Sequence, residues 1–243
     1  MLPSRPHRPG LFLVRTAFAC LLVLTGAVLA GALAHAQIRP SPSETAAYTG
    51  LHRAAVAGDV AEIERLVAAG ASLDMRDGHG RTALHVAVFF GHRPAARTLL
   101  RLGANPNALD AQRYDIVTIA AVANDIDMLK LALAGGANAR AITSPYDGTA
   151  LIAAAHLGHV EVVRMLIAAH APLDHVNNLG WTALIESIVL GNGGRNHTDT
   201  LDALVKAGAN VNLADRQGVT PLGLARQRGY AEMMRILEAA GAR

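Results

Sequence analysis

From Thr49 to its last residue this chain of 243 residues repeats itself, and the period constrains the architecture before any single element is assigned. Six segments align: "TGLHRAAVAGD" from Thr49, "TALHVAVFFGH" from Thr82, "DIVTIAAVAND" from Asp115, "TALIAAAHLGH" from Thr149, "TALIESIVLGN" from Thr182 and "TPLGLARQRGY" from Thr220. Their starts step by 33, 33, 34, 33 and 38 residues. In most units a second signal, such as "RLGAN", "AGGAN" or "KAGAN", closes the segment.

Two short antiparallel helices explain each unit. The opening Thr caps the first helix through its hydroxyl, Pro221 follows the first-turn preference for proline, and Gly58, Gly91, Gly158, Gly191 and Gly229 suit a left-handed residue that ends it. The second helix carries apolar residues at helical spacing, as in Val160, Val163, Leu166 and Ile167, with Glu161 and Arg164 facing away. Aromatics make up only 4% of the chain while Ala, Leu and Gly dominate, which suits close helix packing better than strands. A single unit has too little apolar surface to fold alone, so neighbours must stack into one continuous core.

The "D-x-x-G-x-T-A-L-H-x-A" opening, clearest in "DGHGRTALHVA", and the "L-L-x-x-G-A-N" close resemble ankyrin repeats. The resemblance implies an all-α solenoid of six helix-turn-helix repeats over residues 45–243, with hairpin-like loops projecting from one edge, acting as an interaction scaffold rather than a catalyst. The third unit departs from the pattern: Asp115 replaces Thr and Asn124 replaces Gly, substitutions that still serve those caps. In the fourth, His170 stands where the closing Gly is expected, a strained position for a side chain.

The first 36 residues are of another kind. Arg5, Arg8 and Arg15 precede an apolar run from Thr16 to Ala34, and Ala34-His35-Ala36 offers small residues for cleavage, so residues 1–36 read as a secretory signal peptide and 37–44 as a linker. The run is about long enough to span a bilayer, but Gly26, Gly31 and the A-x-A pattern favour cleavage over anchoring. Cys20 lies inside the run rather than after it, which argues against a lipoprotein. Residues 37–243 keep 19 basic and 19 acidic side chains, a formal net charge of zero, so no basic field remains to attract nucleic acid or an anionic membrane. The expected location is periplasmic or secreted, and the expected state is a monomer.

Five histidines, His156, His159, His170, His175 and His197, crowd into 42 positions and make a metal or small ligand bound by repeats four and five the alternative reading. Against it, no carboxylate or cysteine recurs with ligand spacing, and the resemblance makes His52, His85, His92 and His159 structural. The sequence holds no G-x-S-x-G, no phosphate loop and no H-E-x-x-H. A hydrolase built from Glu186, His197 and Asp199 lacks a nucleophile. Neither catalytic residues nor cofactors are expected.

In ankyrin-like units, the residue before the Thr, those two or three positions further back, and the last two before the first Gly face the concave binding surface. By that resemblance the partner-binding residues here are Arg81, Phe89, Phe90, Tyr114, Tyr146, His156, Leu157, Trp181, Val189 and Leu190, with His79 and Leu179 at the remaining positions. Five of the seven aromatics after residue 36 fall in this set, and aromatics on a rigid face typically anchor a protein interface. Phe89 and Phe90 have an alternative place as extra core beneath the adjacent hairpin. In unit six, Arg226 stands where earlier units have Ala55, Val88, Ala121, Ala155 and Ile188, which marks a terminal cap.

The fifth unit carries five extra residues within 192–198, read here as a functional elaboration that adds Arg195 and His197 to the binding edge beside Trp181. Glu186 takes a position filled elsewhere by Val86, Ile119, Ala153 and Leu224, and a carboxylate there needs a partner, for which Arg195 is the candidate. The functional expectation is an exported scaffold that binds a protein through its concave face. The resemblance further links it to exported bacterial ankyrin proteins of peroxide and stress defence.

Overall fold

The computed structural model describes Gln37 and residues 39–243; the expected signal peptide, residues 1–36, lies outside the described residues. The chain divides into two compact units, Met1–Ile38 and Arg39–Arg243, and the second carries every element described. It opens with a short helix, α1 (Pro42–Ala47), so part of the stretch expected to be linker is helical. Six helix pairs follow: α2 (Gly50–Ala57) and α3 (Val60–Ala68), α4 (Ala83–Phe89) and α5 (Arg93–Arg101), α6 (Ile116–Val122) and α7 (Ile126–Ala134), α8 (Ala150–Leu157) and α9 (Val160–Ala168), α10 (Ala183–Val189) and α11 (Arg195–Lys206), α12 (Pro221–Arg228) and α13 (Ala231–Ala239). The even-numbered helices from α2 on pack successively on one another as an inner layer, and the odd-numbered helices from α3 on form an outer layer behind them.

Local chemistry sets the helix ends. Thr82, Thr149, Thr182 and Thr220 each accept the amide hydrogen of the residue three further on, and Asp115 does the same for Thr118 at 2.8 Å. Thr49 makes no such bond, so the first unit begins uncapped by its own hydroxyl. Asn124 and His170 stand at φ of 53° and 60°, the left-handed region where glycine closes other units.

The hairpin-like loops contain no regular strand among the described residues; one isolated bridge joins Thr143 and Gly148. Four loops share a latch: Asp77, Asp110, Asn177 and Asp215 each donate a backbone amide to the carbonyl four residues on and accept that residue's amide on the side-chain oxygen. Neighbouring loops are joined by backbone bonds such as Ala111 to His79 and Asn178 to Tyr146, both 2.9 Å. Histidines tie loops to helices as the resemblance implied: His52 Nε2 donates to the Arg81 carbonyl at 2.8 Å, and His85 Nε2 to Ala108 and Tyr114.

One hydrophobic cluster runs through all six pairs, built from residues such as Leu51, Leu84, Leu99, Leu151, Leu166, Leu184, Leu201 and Leu237. Burying a leucine side chain stabilises by roughly 1.5–3 kcal/mol, so the core is a sum of such layers rather than one centre. Its last layer ends in polarity. Arg226 is exposed and pairs with Glu238 at 2.9 Å, whereas Ala55, Val88, Ala121, Ala155 and Ile188 are buried at the matching positions.

Candidate partner-binding face

The face made by the loops and the ends of the inner helices holds the expected binding residues, and the structure divides them into two groups. Toward the beginning of the array, the chain covers its own surface. Arg81 is only 1% exposed: its guanidinium donates from Nε to Asp77 at 2.7 Å and from Nη2 to Glu44 on α1. Tyr48 donates its hydroxyl to the same Asp77. Burial alone would raise the Asp77 carboxyl, but these hydrogen bonds hold it at about 2; hydrogen bonds from Ser41 and then Arg81 hold Glu44 there as well. Arg39 lies over the Phe90 ring, its guanidinium carbon 4.1 Å from the centroid. Tyr114 is buried in the core, and its hydroxyl is pushed up to about 12 by burial and by Tyr146. Arg81 and Tyr114 are therefore structural, a correction to their expected place on the binding face, and Phe89 and Phe90 are half-buried against the core.

Repeats four and five are different. Tyr146, His156, Trp181, Val189 and Leu190 are half-buried, Trp181 and Val189 resting partly on the core as Phe89 and Phe90 do, and Leu157 is 40% exposed. Asn177 latches the loop that presents Trp181, accepting the Trp181 amide on Oδ1 at 3.0 Å, while its Nδ2 donates to Glu186 Oε1 at 3.0 Å. The other three latch residues are aspartates, and an aspartate here would set a second carboxylate against Glu186. The pairing of the one amide among these latch residues with the carboxyl at an otherwise apolar helix position is visible in the sequence once the units are aligned, but only if both departures are considered together.

Glu186 is thus satisfied by Asn177 and not by Arg195, which overturns the expected pair. Arg195 is 90% exposed on the far side of α11's first turn and faces Asp199 at 3.6 Å. On its other side the Glu186 carboxyl meets His156, with Nδ1 to Oε2 at 3.5 Å, too long for a charge-assisted bond. Burial raises Glu186 to about 7 despite the Asn177 bond, and burial together with the neighbouring His197 lowers His156. Near neutral pH His156 is therefore neutral and the Glu186 carboxyl beside it is close to its midpoint.

The insertion has a structural account instead of the expected functional one. Against repeat two, two of its residues lengthen the connection between the helices and three add a turn to α11, which has 12 residues where α5 has 9. In repeats two and four the residue opening the second helix is a histidine that tethers the preceding unit: His92 Nε2 to Val56 O at 2.8 Å and His159 Nδ1 to Ala121 O at 3.0 Å. Repeat five has Asn192 there, and the added turn returns His197 to the same task, with Nε2 donating to His156 O at 2.9 Å. Gly191 is required by space, since a Cβ would meet Ser187 O at 2.0 Å and the His197 ring at 2.9 Å. Its φ is not left-handed as expected; Gly193, at 68°, takes that turn beneath the Tyr230 ring, whose hydroxyl donates to Gly191 O at 3.0 Å.

The remaining histidines do not converge. His175 donates to the Asp147 carbonyl at 2.6 Å, and among the described residues no group of three or more His, Cys, Asp or Glu could hold a metal ion. Glu186, His197 and Asp199 are likewise engaged separately, with Asn177, His156 and Arg195. No helix among the described residues is long and apolar enough to cross a membrane.

Known proteins agree with this architecture. Family models described as "Ankyrin repeats (3 copies)" and "Ankyrin repeats (many copies)" match residues 117–215 and 51–100. YahD of Escherichia coli (strain K12), itself named an ankyrin repeat protein, is 32% identical over 190 residues, which is 78% of this chain and 94% of YahD. An ankyrin repeat domain from Acinetobacter baumannii AYE is similar in structure with a TM-score of 0.76 and 46% identity, covering 79% of this chain and 98% of that one. The ankyrin repeat domain of Bcl-3, of the IkappaB protein family, follows with a TM-score of 0.74 and 29% identity over 81% of this chain and 88% of that one. Matched by these family models and by a relative of this identity and coverage, this chain belongs to the ankyrin-repeat family.

Proposed function

We propose that the chain is an exported, monomeric scaffold that binds a protein partner through repeats four and five. The observation that carries the reading is the set Leu157, Trp181, Val189 and Leu190 at the expected binding positions, with Leu157 exposed, while Arg81 and Phe90 at the equivalent positions of repeat two are engaged by Glu44 and Arg39. Trp181 is the anchor: a large amphipathic ring held on a latched loop loses little freedom on binding. His156 supplies a polar neighbour at the rim. Ankyrin repeats serve generally as binding scaffolds, and the reading assigns no catalytic step.

Export rests on residues 1–36, with their three arginines, apolar run and Ala34-His35-Ala36. It predicts a periplasmic or secreted chain beginning near Gln37, and the intact mass of protein recovered from periplasm checks it. A role in peroxide and stress defence rests on the family resemblance. Crosslinking pull-down from the native periplasm, with the wild-type chain and Trp181→Ala in parallel, tests the binding face. A partner captured by the first and lost with the second supports it; equal capture by both argues against it.

A further inference from the structure

The outer layer is not uniform. α7 packs less extensively on α5 and α9 than α9 does on α11 or α3 on α5, and a groove of about 670 Å³ opens between α5 and α7, on the layer opposite the proposed binding face. A departure in the third repeat shapes its floor. Gly135 stands where repeats one, two and five carry Ala69, Leu102 and Ala207, and Leu100 leans to 2.7 Å from where a Gly135 Cβ would be. Leu100 and Leu131 stay half-buried, leaving an apolar floor.

The rim is cationic. Helical geometry lines up Arg93, Arg97 and Arg101 on one side, spaced four residues apart over about 12 Å, and Lys130 faces them from α7. Arg93 is neutralised by Asp125 at 2.7 Å and Arg101 pairs with Glu64, but Arg97 and Lys130 have no ion pair among the described residues. Asp127 lies on the same rim, 4.0 Å from Arg93, so the groove carries a net local excess of one positive charge, with Arg97 and Lys130 exposed across a leucine-lined floor.

We propose that this groove docks an acidic helical segment of a second protein, with leucine-type side chains on Leu100 and Leu131 and carboxylates on Arg97 and Lys130. A phosphate polymer fits less well: it would leave the apolar floor uncovered and find a net excess of only one positive charge, with Asp127 on the same rim. Lying on the outer layer, the groove leaves Trp181 open, so one chain can hold two partners at once.

Fluorescence anisotropy of the purified chain tests this with a labelled helical peptide carrying leucines at i, i+3 and i+7 flanked by glutamates. Controls replace every Glu by Lys or every Leu by Ala. The acidic leucine peptide should bind, weaken with added salt, and outcompete both controls. Arg97→Glu with Lys130→Glu should weaken it about tenfold or more, the equivalent of losing roughly 1.4 kcal/mol. Gly135→Leu, which fills the floor, should act in the same direction, and Trp181→Ala should leave binding unchanged. Arg97→Gln with Lys130→Gln, checked for an unaltered melt, serves if the reversal perturbs folding. Binding that is absent, that survives these substitutions, or that is exceeded by a single-stranded oligonucleotide or phosphatidylglycerol vesicles using the same two cations overturns the proposal.

Discussion

Arg81 and Trp181 occupy the same position in their repeats, each just before the helix-capping threonine, yet one is sealed in an ion-pair network and the other is accessible. The difference lies outside the repeat. α1 and Tyr48 bring Glu44 and a phenol hydroxyl to Arg81 and Asp77, while among the described residues no ion pair of that kind reaches the loop of repeat five, whose latch residue is the neutral Asn177. Repeat position fixes which way a side chain points; non-repeat sequence decides whether it is covered. The first region behaves as a cap for the end of the array, the second as a surface.

The two regions should also answer to pH in opposite senses. Asp77 and Glu44 have folded-state values of about 2, below the ordinary 3.8 and 4.5, so their contribution is present above those ordinary values and is lost as pH falls toward 2. Glu186 is raised from 4.5 to about 7, so it costs nothing below 4.5; its cost grows as pH rises from 4.5 toward 7 and levels off above.

Removing Arg81 should produce the largest effect. Arg81→Ala leaves two carboxylates without their shared cation and should lower stability by about 3 kcal/mol at neutral pH, measured by urea denaturation, because breaking a buried pair strands its partners. An unchanged midpoint would mean that the first region is a surface like the second. Next, Glu186→Gln keeps the shape and the Asn177 bond while removing the titration. It should stabilise by about 2–3 kcal/mol at pH 8 and by almost nothing at pH 4, read from thermal melts across that range. A pH-independent difference would break the assignment of a buried neutral carboxyl. Trp181→Ala should weaken partner binding by about 2 kcal/mol, measured by calorimetry once a partner is in hand, with Phe90→Ala weakening it far less. At the small end, Arg195→Ala should shift stability by less than about 0.5 kcal/mol, since exposed pairs of this kind contribute little.

The sequence made the solenoid legible because its signals are local and repeated: threonine caps, closing glycines, apolar spacing and the loop latch all act within one unit. Arg226 at the terminal cap was readable for the same reason. What escaped were contacts between units or from outside them. Arg81 is bound by Glu44, 37 residues away and on a helix that belongs to no repeat, and Tyr114 is buried by tertiary packing that its own unit does not encode. The insertion misled in another way. A Gly-rich stretch with Arg and His resembles a binding loop, and only the geometry shows that one added helical turn puts His197 where His92 and His159 stand in other units. Glu186 was correctly singled out as needing a partner, but Arg195 and Asn177 are both nine residues from it, and charge favoured Arg195 while Asn177 serves its own loop.

The division of the binding face into a covered and an open half is the central claim, and site-specific photocrosslinking tests it most directly. A photoreactive residue is placed at Leu157 in one chain and at Phe90 in another, and each is irradiated in native cells. The account predicts a partner adduct from position 157 that is lost in the Trp181→Ala background, with position 90 giving mainly intramolecular products. Adducts of equal yield from position 90, or from position 157 regardless of Trp181, would contradict it.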